Sequence, residues 1–237
     1  MLISHSHRFI FVHVAKSAGL SLRDALCDYV EEPEHFRIQR PAKLVNGKPN
    51  TLYAMWKEAL IHPTAVQIRK ELGESPFDSY FKFAFVRNPW DLQVSMYHFI
   101  LKETGHRHHQ TVKAMANFAD YLDWVVATPK PFAKGATKFQ KDMLCDHQGR
   151  VLVDFVGRYE TLGTDFEYLC QRLGIRASML HLNQSYHRDY RCYYDKKTQD
   201  LVADFFKEDI ALFGYNFDSY KNHADYMQRS YNVARTY

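Results

Sequence analysis

Two short apolar runs stand out along the chain. Phe9 to Val14 reads FIFVHV and Phe81 to Val86 reads FKFAFV. Both are β-branched or aromatic almost throughout and shorter than a stable helix, the pattern of strands buried on both faces. VLVDFV, Val151 to Val156, repeats it and predicts a third strand. Apolar residues at helical spacing follow each run: Leu22, Leu26 and Tyr29, then Leu92, Met96 and Phe99, then the stretch Leu162 to Leu173 closed by Gly174. Further helices are predicted over Thr51 to Leu60, Met115 to Ala127 and Lys197 to Phe213. Another is predicted over Pro63 to Leu72, with proline at its first position and Gly73 just past its end. Pro33 to Asn50 reads as an irregular excursion, Thr104 to Gln110 as a histidine-rich loop, and Asn183 to Tyr194 as polar and aromatic. Strands that alternate with helices, without an internal repeat, predict an α/β fold: a parallel sheet flanked by helices on both faces, in a single domain spanning residues 1–237.

Charge narrows the partners. Lys and Arg number 31 against 27 Asp and Glu, a net +4 that suits an anionic ligand but lacks the concentrated basic stripe of a nucleic-acid reader. The 13 histidines add positive charge at acidic pH. Cys27, Cys145, Cys170 and Cys192 never stand in CxxC spacing, so free thiols are expected rather than a zinc site. The opening run is too short for a signal peptide, and no stretch reaches the roughly 18 apolar residues of a membrane span. The expectation is a cytoplasmic protein with no membrane span.

The first motif is the junction FVHVAKSAGLSL, Phe11 to Leu22. A strand ends and a helix begins within a few residues, and backbone N–H groups at a helix start form an anion site. Lys16 supplies a compact, mobile charge, Ser17 and Ser21 supply hydroxyls, and Gly19 lets the backbone approach a phosphate. The loop is not a complete Walker A sequence, and a structural turn with a surface lysine accounts for the segment alone. The second motif, FAFVRNPWDLQVSMYHF, runs from Phe83 to Phe99. Arg87 ends the strand, Pro89 opens the helix, and Asp91 and Ser95 share one helix face. Arg87 is suited to a bidentate phosphate contact with Ser95 adding a hydroxyl; a pairing of Arg87 with a neighbouring carboxylate fits the same residues.

Together the two motifs are more specific than either. KSAGLS followed by VRNPWDLQVSMY resembles the two signature elements of the sulfotransferase superfamily, most closely its bacterial and Golgi carbohydrate-type members. The stretches VDFVGRYETLGTDFEYLCQRLGI, from Val153, and HRDYRCYYDKKTQDLVADFFKEDIALFGYNF, from His187, resemble the same family. The resemblance implies a P-loop-like sheet and 3'-phosphoadenosine 5'-phosphosulfate (PAPS) as sulfuryl donor, with the bisphosphate PAP as product and no metal. It implies that Lys16, Ser17, Ala18, Gly19, Leu20 and Ser21 surround the 5'-phosphosulfate, that Arg87 and Ser95 hold the 3'-phosphate, and that Arg158 to Glu160 lie near the nucleotide. Ala18 departs from the family, which commonly has a second glycine there.

Transfer to a hydroxyl needs a base. His62 precedes Pro63, which places it at a predicted helix N-cap, where the positive end of the dipole disfavours imidazolium. The resemblance agrees, since a histidine opening such a segment acts as the base in similar proteins; His13 and His98 are the other candidates. His106, His108 and His109 lack metal-binding spacing and read as a solvated loop. Asn183 to Tyr194 and Gly105 to Gln110 either line an acceptor groove for a carbohydrate or pack inward. Two rivals remain: a P-loop-type small-molecule kinase, and a non-catalytic nucleotide- or glycan-binding protein of the same fold.

Overall fold

The computed structural model of the protein describes residues 1–31, 62–132, 136–179 and 188–219, with the backbone of two short strands, β3 (Leu44–Val45) and β4 (Lys48–Pro49). The helix expected over Thr51 to Leu60 lies outside the described residues.

The main sheet has the order β1 (Leu2–Ser4), β2 (Phe9–Val12), β5 (Phe81–Val86), β6 (Phe155–Arg158). β2, β5 and β6 run parallel, and β1 adds an antiparallel edge too short to be read from the sequence. The pleat sorts the side chains by size. Phe9, Phe11, Phe83 and Phe85 face one side, where α1 (Gly19–Ala25) and α8 (Leu162–Leu173) supply Leu22, Phe166 and Leu169. Ile10, Val12, Ala84 and Val86 face the other, against Ala65 and Ile68 of α2 (Ala65–Leu72) and Phe77 of α3 (Glu74–Ser79). Helices thus cover both faces. Each buried phenylalanine contributes roughly 2–3 kcal/mol, and a one-residue slip would exchange the aromatic row for the aliphatic one, so the register is strongly fixed.

The strand expected over Phe9 to Val14 ends at Val12 and the helix expected from Met115 starts at Phe118, and three further boundaries move for visible reasons. The third strand begins at Phe155, not Val151, because the Asp154 carboxylate takes the Lys82 N–H at 2.7 Å and its own N–H meets the Lys82 carbonyl at 2.8 Å. Ladder pairing starts only beyond that clasp. The helix expected from Pro63 starts at Ala65, because Thr64 is the N-cap: it forms a capping box with Gln67. The last helix is two, α9 (Lys196–Phe205) and α10 (Lys207–Phe213), broken at the buried Phe206. Between β5 and β6 lie α4 (Pro89–Lys102), α5 (His109–Lys113), α6 (Phe118–Ala127) and α7 (Lys141–Leu144). Because the three strands are parallel, the segments leaving Val12, Val86 and Arg158 emerge at one end of the sheet, where α/β folds place their ligands.

Candidate active site

At the end of β2 the chain turns sharply into α1. Lys16 and Ala18 both hold left-handed backbones, with φ of 64° and 61°. Neither is glycine, and each such residue is disfavoured by roughly 1–2 kcal/mol. Left-handed residues in a turn bring successive N–H groups toward one point, an anion-binding nest. Gly19 has a further reason beside the one expected. A Cβ there would lie 1.7 Å from Nε2 of His13, so the glycine makes room for that imidazole. The Ser17 hydroxyl is buried without a hydrogen-bond partner, whereas Leu20 is exposed.

Arg87 leaves the end of β5 and meets this loop directly. Its Nη1 donates to the Lys16 carbonyl at 3.2 Å, its Nε donates to Asp91 at 2.8 Å, and its guanidinium lies 3.8 Å from the Tyr159 ring centre. The carboxylate pairing weighed from the sequence is therefore present, and the contact with the Lys16 turn exists beside it. Ser95, one turn beyond Asp91, is buried with its hydroxyl unpartnered. The Lys16 ammonium rests 4.3 Å from the Phe99 ring centre on the same helix. Burial first, then the Arg87 charge, push its pKa from 10.5 down to about 8. A lysine whose charge is disfavoured by the nearby Arg87, with two unpartnered hydroxyls on the elements that carry them, suits an anion.

His62 stands beside the loop, two residues ahead of the helix cap rather than at it. Its Nδ1 lies 3.0 Å from the His13 carbonyl oxygen. A carbonyl only accepts, so Nδ1 carries the proton and Nε2 of the neutral ring offers a lone pair. Burial, more than any helix dipole, pushes its pKa down to about 4. The His13 ring fills the space between, 4.4 Å from the His62 ring and stacked on Phe11. His98 instead bonds the Tyr193 hydroxyl at 2.9 Å.

Arg158 ends β6 opposite Val86, and its guanidinium lies 4.9 Å from the Tyr215 ring centre. The histidine-rich loop diverges: His109 is buried and bonds the Ile100 carbonyl, His106 packs on Phe99, and His108 packs on Trp124. It is thus partly a helix, α5, and not wholly solvated. Among the described residues no group of three or more His, Cys, Asp or Glu is placed to hold a metal ion, and no helix is long and apolar enough to cross a membrane. Of the segment Asn183 to Tyr194, Tyr190 and Tyr194 pack into the core against Phe217 and Trp90, and Asn183 to His187 lie outside the described residues.

Three residues hold the Arg87 corner, of which the buried Gln140 and Asp209 carry no local sequence signal. Gln140 bonds both backbone polar groups of Arg87, at 2.8 Å each. Glu160 accepts the Asn88 N–H at 2.6 Å and the Tyr215 hydroxyl at 2.9 Å, and burial raises its pKa. Asp209, fully buried, accepts the N–H groups of Gln140 and Lys141, and burial pushes its pKa up to about 6.

Comparison with known proteins places this geometry. An uncharacterized protein of Archaeoglobus fulgidus is 26% identical over 136 residues, which is 54% of this chain and 96% of that protein. The crystal structure of mouse sulfotransferase SULT7A1 complexed with PAP matches with a TM-score of 0.51 at 15% identity, over 92% of this chain and 88% of that one, a likeness of fold. The model of the sulfotransferase family matches residues 1–216, a span that includes all three strand ends described above. The chain belongs to the sulfotransferase family.

Proposed function

We propose that the protein transfers a sulfuryl group from PAPS to a hydroxyl, with a carbohydrate as acceptor. The observation that carries this reading is the Arg87–Lys16 contact: two motifs 71 residues apart meet at one end of the sheet, where the Arg87 guanidinium donates to the Lys16 backbone carbonyl. PAPS carries phosphate at both the 3' and 5' positions, and the mouse relative of the same fold is complexed with PAP. The residues fit such a ligand. The nest and Ser17 suit the 5'-phosphosulfate; Arg87 and Ser95 suit the 3'-phosphate. The carbohydrate acceptor is supported by the motifs' resemblance to carbohydrate-type members.

In this reading the acceptor oxygen attacks sulfur in line. Its proton passes to Nε2 of His62, and the bond from sulfur to the bridging oxygen breaks with its electron pair left on the 5'-phosphate. Lys16 and the loop N–H groups stabilise the charge that develops there. Removing one such donor typically costs about 100- to 1000-fold in turnover. The test is a transfer assay with sulfate-labelled donor against a panel of hydroxyl acceptors, read as the mass gain of one SO3 unit. Lys16→Ala and His62→Ala should each abolish most transfer, and Arg87→Ala should chiefly weaken donor binding. Near-normal turnover of His62→Ala at saturating donor would remove His62 as the base.

A further inference from the structure

We propose that Gln140 is a positioning residue for donor recognition, holding the Arg87 backbone where its guanidinium reaches the phosphate loop. This rests on the donor reading above. The side-chain amide of Gln140 forms a closed two-point pair with Arg87: Oε1 accepts the Arg87 N–H and Nε2 donates to the Arg87 carbonyl, both at 2.8 Å. Arg87 is the first residue past β5, so its own polar groups have left the ladder that orders Val86. Gln140 supplies in their place the pairing that a neighbouring strand gives elsewhere in the sheet.

The clamp is itself anchored. Gln140 is 2% exposed, and its N–H donates to Asp209 at 2.7 Å, while the adjacent Lys141 N–H donates to the second Asp209 oxygen at 2.9 Å. The result is a chain of short bonds from α10 through the start of α7 to the end of β5. Beyond it the Arg87 side chain is fixed by Asp91, the Lys16 carbonyl and the Tyr159 face. An error in the backbone of Arg87 is carried down its long side chain, so the contact most sensitive to Gln140 is the one at the guanidinium. The turn from Lys16 to Ser21 is built on β2 and α1 and feels Gln140 only through the single Arg87–Lys16 bond, so its contacts should change less.

The prediction is therefore selective. Calorimetric titration of PAP and of adenosine 5'-monophosphate against the wild-type protein and Gln140→Ala separates the two phosphate corners. Gln140→Ala should lower the preference for PAP over adenosine 5'-monophosphate by about tenfold or more, the size of one misaligned charge-assisted contact, with the monophosphate affinity held within about threefold. Gln140→Glu, which keeps an acceptor for the Arg87 N–H but loses the donor, should fall between. A variant that folds, by circular dichroism, and keeps the wild-type preference within about twofold overturns the proposal. So does equal loss of both ligands, or failure of both variants to fold, since either makes Gln140 only a structural support. A wild-type protein without preference for PAP would instead overturn the donor reading.

Discussion

Replacing Lys16 by methionine should stabilise the protein while destroying its activity. The ammonium is held in a partly buried position beside Arg87, and its pKa falls from 10.5 to about 8. That difference corresponds to about 3 kcal/mol against the charged form. Its contact with the Phe99 face returns about 0.5–1 kcal/mol, leaving a net cost near 2 kcal/mol. The sign follows from proton counts. Between pH 8 and 10.5 the unfolded chain keeps the Lys16 proton and the folded chain has released it, so stability from this group rises with pH across that window. Below pH 8 both states are charged and the penalty is complete. Urea denaturation should therefore show Lys16→Met more stable than wild type by about 2 kcal/mol at pH 7, with the gap shrinking below about 1 kcal/mol by pH 10. A variant less stable than wild type at pH 7, or a gap that does not change with pH, refutes the reasoning. The same physics requires PAP, which supplies the missing negative charge, to draw protons onto Lys16 when it binds near pH 8 to 9.

Other perturbations have distinct signatures. Gly19→Ala drives a methyl group into the His13 ring and should cost about 2 kcal/mol by denaturant midpoint, part of it recovered in the double variant His13→Ala/Gly19→Ala. Ser95→Ala removes a buried hydroxyl with no partner, so stability should hold or rise slightly, while calorimetry should show PAP binding weakened about three- to tenfold. His62, with its pKa pushed down to about 4, stays neutral well below its ordinary range, so kcat/KM should hold steady from pH 7 to about 5 and fall near pH 4. The stability that neutral His62 contributes is present above pH 6.5 and is lost as pH falls through 4. An acid limb near 6.5 would assign the base to another group.

The parts of the fold written in local patterns were legible. FKFAFV occupies the predicted strand, and Leu162–Leu173 the predicted helix, because a short apolar run buried on both faces and the left-handed Gly174 cap are local properties. Val151 to Val153 misled because apolar residues pack against the sheet from a coil as readily as from a strand; the Asp154–Lys82 clasp that delays pairing is a contact across 72 residues. Thr64 and Gln67 spell a capping box, yet Pro63 drew the boundary two residues early and made His62 a cap. The site divides the same way. Lys16, Arg87 and Ser95 stand in readable motifs, and parallel strands bring the motifs together. Gln140 and Asp209 act through partners 53 and 69 residues away, so nothing near them in sequence marks their role, whereas Glu160 lies in the stretch from Val153 that resembles the family.

A crystal structure with PAP bound is the most direct test of whether one bisphosphate bridges the two strand ends. The 5'-phosphate should sit on the turn from Lys16 to Ser21 and the 3'-phosphate within hydrogen-bond reach of Arg87 and Ser95. A nucleotide bound with both phosphates away from these residues would contradict it.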